Sequence, residues 1–267
     1  MFWKSVKSLL PYFGQFLSLL CGVAVKNGIC KRETRSLTSN QLKILAITAM
    51  VFDHLVLGFV PYETWTWGWL LRVPGRVAAP IMCYFIAEGY RYTSNRKKYF
   101  LRLVGFALLS HFPYDLYFGL GFLQATSVIW ALAMGLAALT AVKSENLPGV
   151  LKLLALGACC LLAITADWNY IAVLWVVGFG WFHGSFKKQM LWFVGIGMLL
   201  YVVPIFGEAA EPGWEFQWFR LGIFLAIPLL AFYHGRRGSK AKVVTWFFYI
   251  FYPVHLLVLY VARLVIS

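Results

Sequence analysis

Nine apolar stretches, separated by polar segments whose charge alternates in sign, leave this chain few ways to fold. They lie near residues 41–60, 73–92, 99–118, 120–142, 147–166, 168–183, 188–206, 216–234 and 243–266. Crossing a hydrocarbon core of about 30 Å takes roughly 20 mostly apolar helical residues. Lipid offers the backbone no hydrogen-bond partner, so a span of this kind must be helical. The expected fold is an all-α polytopic integral membrane helix bundle with nine core transmembrane helices. The sixth stretch is short and the third contains Pro113, which softens their expected ends.

Composition agrees. Of 267 residues, 61% are hydrophobic and only 13% charged, about half the charge fraction of a soluble domain. The net charge of +14 does not point to nucleic acid, because the bases fall in short runs between apolar stretches and no nucleic-acid motif accompanies them. The loops after the second, fourth, sixth and eighth stretches carry Arg91, Arg96, Lys97, Lys98, Lys143, Lys187, Lys188, Arg236 and Arg237. The loops after the others carry Glu63, Asp115, Asp167, Glu208, Glu211 and Glu215, with Arg72 as the single base. By the positive-inside rule the basic side is cytoplasmic. Residue 41 then enters from the cytoplasmic side and the C-terminus ends outside.

The first 40 residues read as a preface to a transmembrane domain over 41–267. Its apolar stretch Leu9–Val25 contains Pro11 and Gly14 and has basic residues on both sides; it fits an interfacial helix or a tenth span. The five cysteines form no metal-binding or disulfide pattern, and no metal site is expected.

Ionisable groups inside the spans are the informative exceptions, since each costs several kcal/mol unless paired or hydrated. Asp53 and His54 lie in the first stretch, Arg76 and Glu88 in the second, His111 in the third and His255 in the last. At 1.5 Å per residue, His54, His111 and His255 each sit roughly 18–20 Å from the inner end of their helix. Arg76, on a helix descending from outside, comes near the same level. A polar pocket opening outward from mid-membrane is expected, with Tyr84, Tyr252, Ser110 and Tyr114 able to add hydrogen bonds. A histidine held through one nitrogen can act as a general base. Arg76 can hold Asp53 ionised or stabilise an oxyanion. Asp53 lies about 100° round the helix from His54 and so faces elsewhere. Glu88 is expected to pair with Arg91 or Arg102. The run Arg91, Arg96, Lys97, Lys98 and Arg102 orients the chain and attracts anionic lipid, and can also hold phosphates.

Four blocks, ILAITAMVFDH, GRVAAPIMCYFIAEGYRYTSNRKKYFLRL, FALLSHFPYDL and FYPVHLLVLY, resemble the TraX family. That family takes its name from an inner-membrane enzyme that N-acetylates F-type pilin, and it is similar to the wider transmembrane acyltransferases; the resemblance implies the plasma membrane of a bacterium (its inner membrane). The resemblance is close over residues 40–118 and good over 243–260. It implies an acetyl-CoA-dependent O- or N-acetyltransferase, or transfer of another acyl group from acyl-CoA, to an acceptor peptide, glycan or lipid at the bilayer. His54 corresponds to the essential base, with Asp53 beside it. Gly75, Arg76 and Pro80 match a GRxAxP block, and Glu88, Gly89 and Tyr90 an EGY block. Many relatives carry Glu or Gln in place of His111, so no catalytic role is implied there. The CoA nucleotide is expected at Arg91, Arg96, Lys97, Lys98 and Arg102, with Glu88, Tyr84, His255 and His111 supporting. Two other classes suit intramembrane ionisable groups, a proton-coupled transporter and a non-catalytic membrane assembly protein.

Overall fold

A computed structural model describes residues 36–60, 67–122, 124–208, 211, 213–239 and 241–266. The apolar stretch Leu9–Val25 lies outside the described residues.

The first helix, α1 (Ser39–Phe59), begins at a reciprocal cap. Thr38 Oγ1 accepts from the Gln41 N–H while the Gln41 side chain accepts from the Thr38 N–H, satisfying amides that a helix start leaves unpaired. The start of α1 is also tied to the segment before the last helix. Leu37 N–H donates to Phe232 O, Ser39 N–H to Arg236 O, and the Asn40 amide to Ser239 O. Two 3-10 turns, Gly68–Arg72 and Pro74–Val77, lead into α2 (Ala78–Tyr92), so Arg76 sits on a tight turn rather than within a regular span. Asn95 caps α3 (Arg96–Phe118), which keeps Pro113 inside it and ends on Gly119 in the left-handed region.

Then come α4 (Val128–Val142), α5 (Gly149–Leu162), α6 (Asn169–Trp181) and α7 (Phe186–Gly197). A π turn, Met198–Val202, joins α7 to the short α8 (Pro204–Gly207). A 3-10 segment, Trp214–Leu225, runs into α9 (Ala226–Ala231), and α10 (Lys242–Ile266) closes the chain.

The helix lengths differ from those of the nine apolar stretches. Among the described residues, four helical stretches are long and apolar enough to span: 39–59, 68–92, 186–207 and 242–266. Three others, α4, α5 and α6, have 15, 14 and 13 residues, short of the roughly 20 a straight span takes. The fourth stretch begins at Val128 rather than near 120, since residues 119–122 and 124–127 lie outside any helix. The eighth is mostly 3-10, whose rise of about 2 Å per residue covers more distance with fewer residues.

Side-chain distribution is that of a bundle in lipid. Helix α5 buries none of its residues, and α10 turns Trp246, Ile250, Val258, Val261 and Leu264 outward. Asp53, His54, Glu88 and His255 are buried. Water would reject this arrangement, since soluble monomers rarely expose large contiguous apolar surface; hydrocarbon favours it. The chain is a multi-pass membrane protein.

Helix α4 packs against α2, α3, α5 and α6. It does so with small residues, as helices must where lipid supplies no hydrophobic drive between them. Ala131, Ala133 and Ala138 are fully buried, and a Cβ at Gly135 would meet the Val176 side chain at 2.9 Å.

Candidate functional site

A cavity of about 430 Å³ lies beside α1. Its lining includes Asp53 and His54 of α1, Arg72, Arg76, Tyr114, Tyr252, and Asp167 and Trp168 of the α5–α6 connection. It continues to Lys43, Arg102 and Arg237, one turn into α1 and on the elements beside it.

Asp53 is the hub. Arg72 grips its carboxylate with two donors, Nε to Oδ1 at 3.0 Å and Nη2 to Oδ2 at 3.2 Å. Arg76 Nη2 donates to Oδ2 as well. A carboxylate between two guanidiniums in low dielectric is stable only if all three stay together. The close approach depends on Gly75, where a Cβ would overlap Asp53 Cβ; this is a physical reason for glycine before Arg76. The arginines lie over aromatic faces, Arg72 at 4.4 Å and Arg76 at 5.3 Å from the Phe219 centroid, with Trp168 at 5.4 Å from Arg76. The π turn before α8 points Tyr201 at the same group, its hydroxyl 3.5 Å from Arg76 Nη1. Burial raises the Asp167 carboxyl from its ordinary value, with Arg76 opposing the rise.

His54 lies about 100° round α1 from Asp53, and both line the cavity. Its Nδ1 lies 3.0 Å from His255 Nε2, and His255 Nδ1 lies 3.1 Å from the Phe251 carbonyl. A carbonyl can only accept, so the network assigns the protons. His255 donates Nδ1–H to Phe251, which leaves its Nε2 to accept Nδ1–H from His54. The His54 Nε2 is then the unprotonated nitrogen. The Tyr117 hydroxyl donates to the His54 carbonyl, and the ring of Phe118 meets the imidazole edge-on at 5.7 Å. The imidazole is thus held on several sides while lining the cavity, the condition for a positioned base.

The expected convergence of three histidines holds for two. His111 lies apart, 3.4 Å from Asp115 and in contact with the Phe122 carbonyl, and it does not line the cavity. Ser110 is buried away from the cavity too. Tyr84 is packed edge-to-face against Phe85, Phe179 and Tyr233 and lies outside the cavity, whereas Tyr114 and Tyr252 line it. Glu88 pairs with His183 at 3.2 Å rather than with Arg91 or Arg102; Arg91 reaches the same imidazole at 2.7 Å. The basic run does not form one patch. Arg102 lines the cavity, Arg91 and Arg96 line a second recess on the other side of α2, and Lys97 and Lys98 line neither.

Sequence reasoning passed over Arg72, Asp167, Lys43 and Arg237 as site residues. Arg72 had a signal, as the single base on the acidic side. The others reach the cavity through turns and loop contacts that no periodicity encodes. Among the described residues, no cluster of three His, Cys, Asp or Glu could hold a metal ion.

Residues 38–263 match the family described as TraX protein. The chain belongs to the TraX family. It is also similar to the probable fimbrial assembly protein FimC, serogroup H1, of Dichelobacter nodosus, with 31% identity over 239 residues that cover 84% of this chain and 95% of the relative. No solved structure matches the chain.

Proposed function

We propose that this TraX-family chain is a membrane-bound acyltransferase of the bacterial inner membrane. It moves an acetyl or other acyl group from acyl-CoA to an acceptor amine or hydroxyl on a peptide, glycan or lipid. The observation that carries this reading is one cavity with a hydrogen-bonded histidine beside a bis-arginine carboxylate, and three cations toward its far end.

The residues fit the cosubstrate. A volume of about 430 Å³ falls within the range of small-molecule sites. Lys43 and His54 are separated by about 17 Å along α1 at 1.5 Å per residue, a distance of the order of an extended pantetheine arm. Lys43, Arg102 and Arg237 would hold the phosphates, and Met50, Leu132 and Phe118 would enclose the arm. Acyl-CoA supplies the activated thioester carbonyl.

The protein's part is proton handling and charge. His54 Nε2 takes the proton from the acceptor N–H or O–H as its lone pair attacks the carbonyl carbon. His255, accepting from His54 Nδ1, steadies the imidazolium that results. Arg76 and Arg72 present N–H donors toward negative charge developing on the carbonyl oxygen. When the carbon–sulfur bond breaks, His54 returns the proton to the departing thiolate.

A second reading, a non-catalytic role in assembling a surface fibre, is favoured by the similarity to the probable fimbrial assembly protein of Dichelobacter nodosus. Thermal stability of the purified protein with and without acetyl-CoA, in wild type and His54→Ala, separates the two. The acyltransferase reading expects stabilisation, about 2.7 kcal/mol at a hundred times the Kd. It also expects acyl transfer to fall by at least about 10²-fold in His54→Ala at unchanged membrane level. No stabilisation, together with normal fibre assembly by His54→Ala, would leave the assembly reading standing.

A further inference from the structure

The recess that took Arg91 and Arg96 away from the cavity has a chemistry of its own. It is an open pocket of about 630 Å³ where the ends of four helices meet: Ala87, Tyr90 and Arg91 of α2, Arg96 of α3, Lys143, Ser144, Glu145 and Asn146 after α4, and Gly180 and His183 at the end of α6.

Three full cations face it, and no ion pair joins any of them to a carboxylate among the described residues. They are nevertheless held. The Arg96 guanidinium lies 4.1 Å over the Tyr90 ring, and Lys143 Nζ lies 4.9 Å over the Trp181 ring and 3.4 Å from the Trp181 carbonyl. Arg91 Nη1 lies 2.7 Å from His183 Nε2, and an oxygen of the buried Glu88 lies 3.2 Å from that same nitrogen. Glu145 is the one acid on the rim, against three cations and the amide of Asn146.

The outer edge is amphipathic. Trp181 is 51% exposed and Phe186 40%, and the outward leucines of α5 start close by in the chain. Tryptophan beside lysine is the signature of the headgroup level, where the ring sits at the interface and the ammonium reaches water. Simple orientation signalling needs cations only in number; it does not require them to be stacked on rings and gathered about a cavity.

We infer that this recess binds a phosphate group presented at the basic end of the bundle, carried by an anionic phospholipid or by a soluble phosphate ester. Arg91 and Arg96 supply guanidinium donors, Lys143 a point charge, and Ser144 and Asn146 neutral donors. Acyl chains of a lipid would lie along the apolar surface beside Trp181. The inference is independent of the acyltransferase reading, because none of its residues lines the cavity of His54.

The test uses the full chain in a neutral detergent. Unfolding is followed as short-chain phosphatidylglycerol, phosphatidylcholine of the same chain length, or glycerol phosphate is added. Wild type is compared with an Arg91→Gln/Arg96→Gln/Lys143→Gln variant and with His54→Ala. Phosphatidylglycerol should raise the melting temperature of wild type and His54→Ala in a saturable way. In the triple variant the apparent affinity should weaken at least tenfold. If glycerol phosphate reproduces the shift at equal concentration, the ligand is a soluble phosphate ester; if only phosphatidylglycerol acts, it is the lipid. Equal stabilisation by phosphatidylcholine, or an undiminished response of the triple variant, overturns the inference. Should the triple variant not purify, Lys143→Gln alone, at an exposed position, must weaken the response for the inference to stand.

Discussion

Two groups of arginines do opposite work in this molecule. Arg72 is buried and Arg76 half-buried, and both are bound to Asp53; Arg91 and Arg96 are exposed and have no carboxylate in contact. The first pair is desolvated, so each charge depends on the others, and the group behaves as one unit. The second keeps its water until a ligand replaces it.

The sharpest way to break that contrast is Asp53→Ala. It leaves two guanidiniums unpaired in low dielectric and should cost about 3–5 kcal/mol, read as loss of monodisperse protein extracted from the membrane. Near-normal stability would mean that another acid, Asp167 being the nearest candidate, takes over the pair. Next comes His255→Ala, which deprives the buried His54 Nδ1–H of its acceptor. It should lower stability by roughly 1–3 kcal/mol and reduce any acyl transfer while leaving the affinity for acetyl-CoA unchanged. An altered affinity with unchanged turnover would move His255 from positioning the base to binding. The smallest effect belongs to Lys97→Gln/Lys98→Gln. Both are exposed and line neither recess, so the melting curve should shift by no more than about 0.5 kcal/mol per substitution. A larger loss would put them in contacts like those of the buried pair.

Much of the site could be read from sequence because lipid makes polarity conspicuous. Asp53, His54, Arg76 and His255 stand out in apolar stretches, and helical rise alone brings His54 and His255 to a common depth. The same argument put His111 at that depth, and there it failed, since depth does not say which way a side chain turns. His111 turns toward Asp115, one helical turn along its own helix.

The 100° offset between Asp53 and His54 follows from their adjacency, so the distinction between a charge cluster and a histidine pair was present in two letters of sequence. That Arg72 joins the cluster was not. It required the 3-10 turns before α2 to fold back on α1, which in turn requires the missing side chain of Gly75. Lys43 and Arg237 come together because the start of α1 is hydrogen-bonded to residues about 200 positions away. Composition and charge alternation determined by themselves that this chain is a bundle of helices in a membrane, because the bilayer imposes one rule on every segment. Which polar groups share a cavity, and that the basic run divides between two recesses, was decided only by tertiary structure, because helix rotation and loop contacts depend on neighbours that no local pattern names.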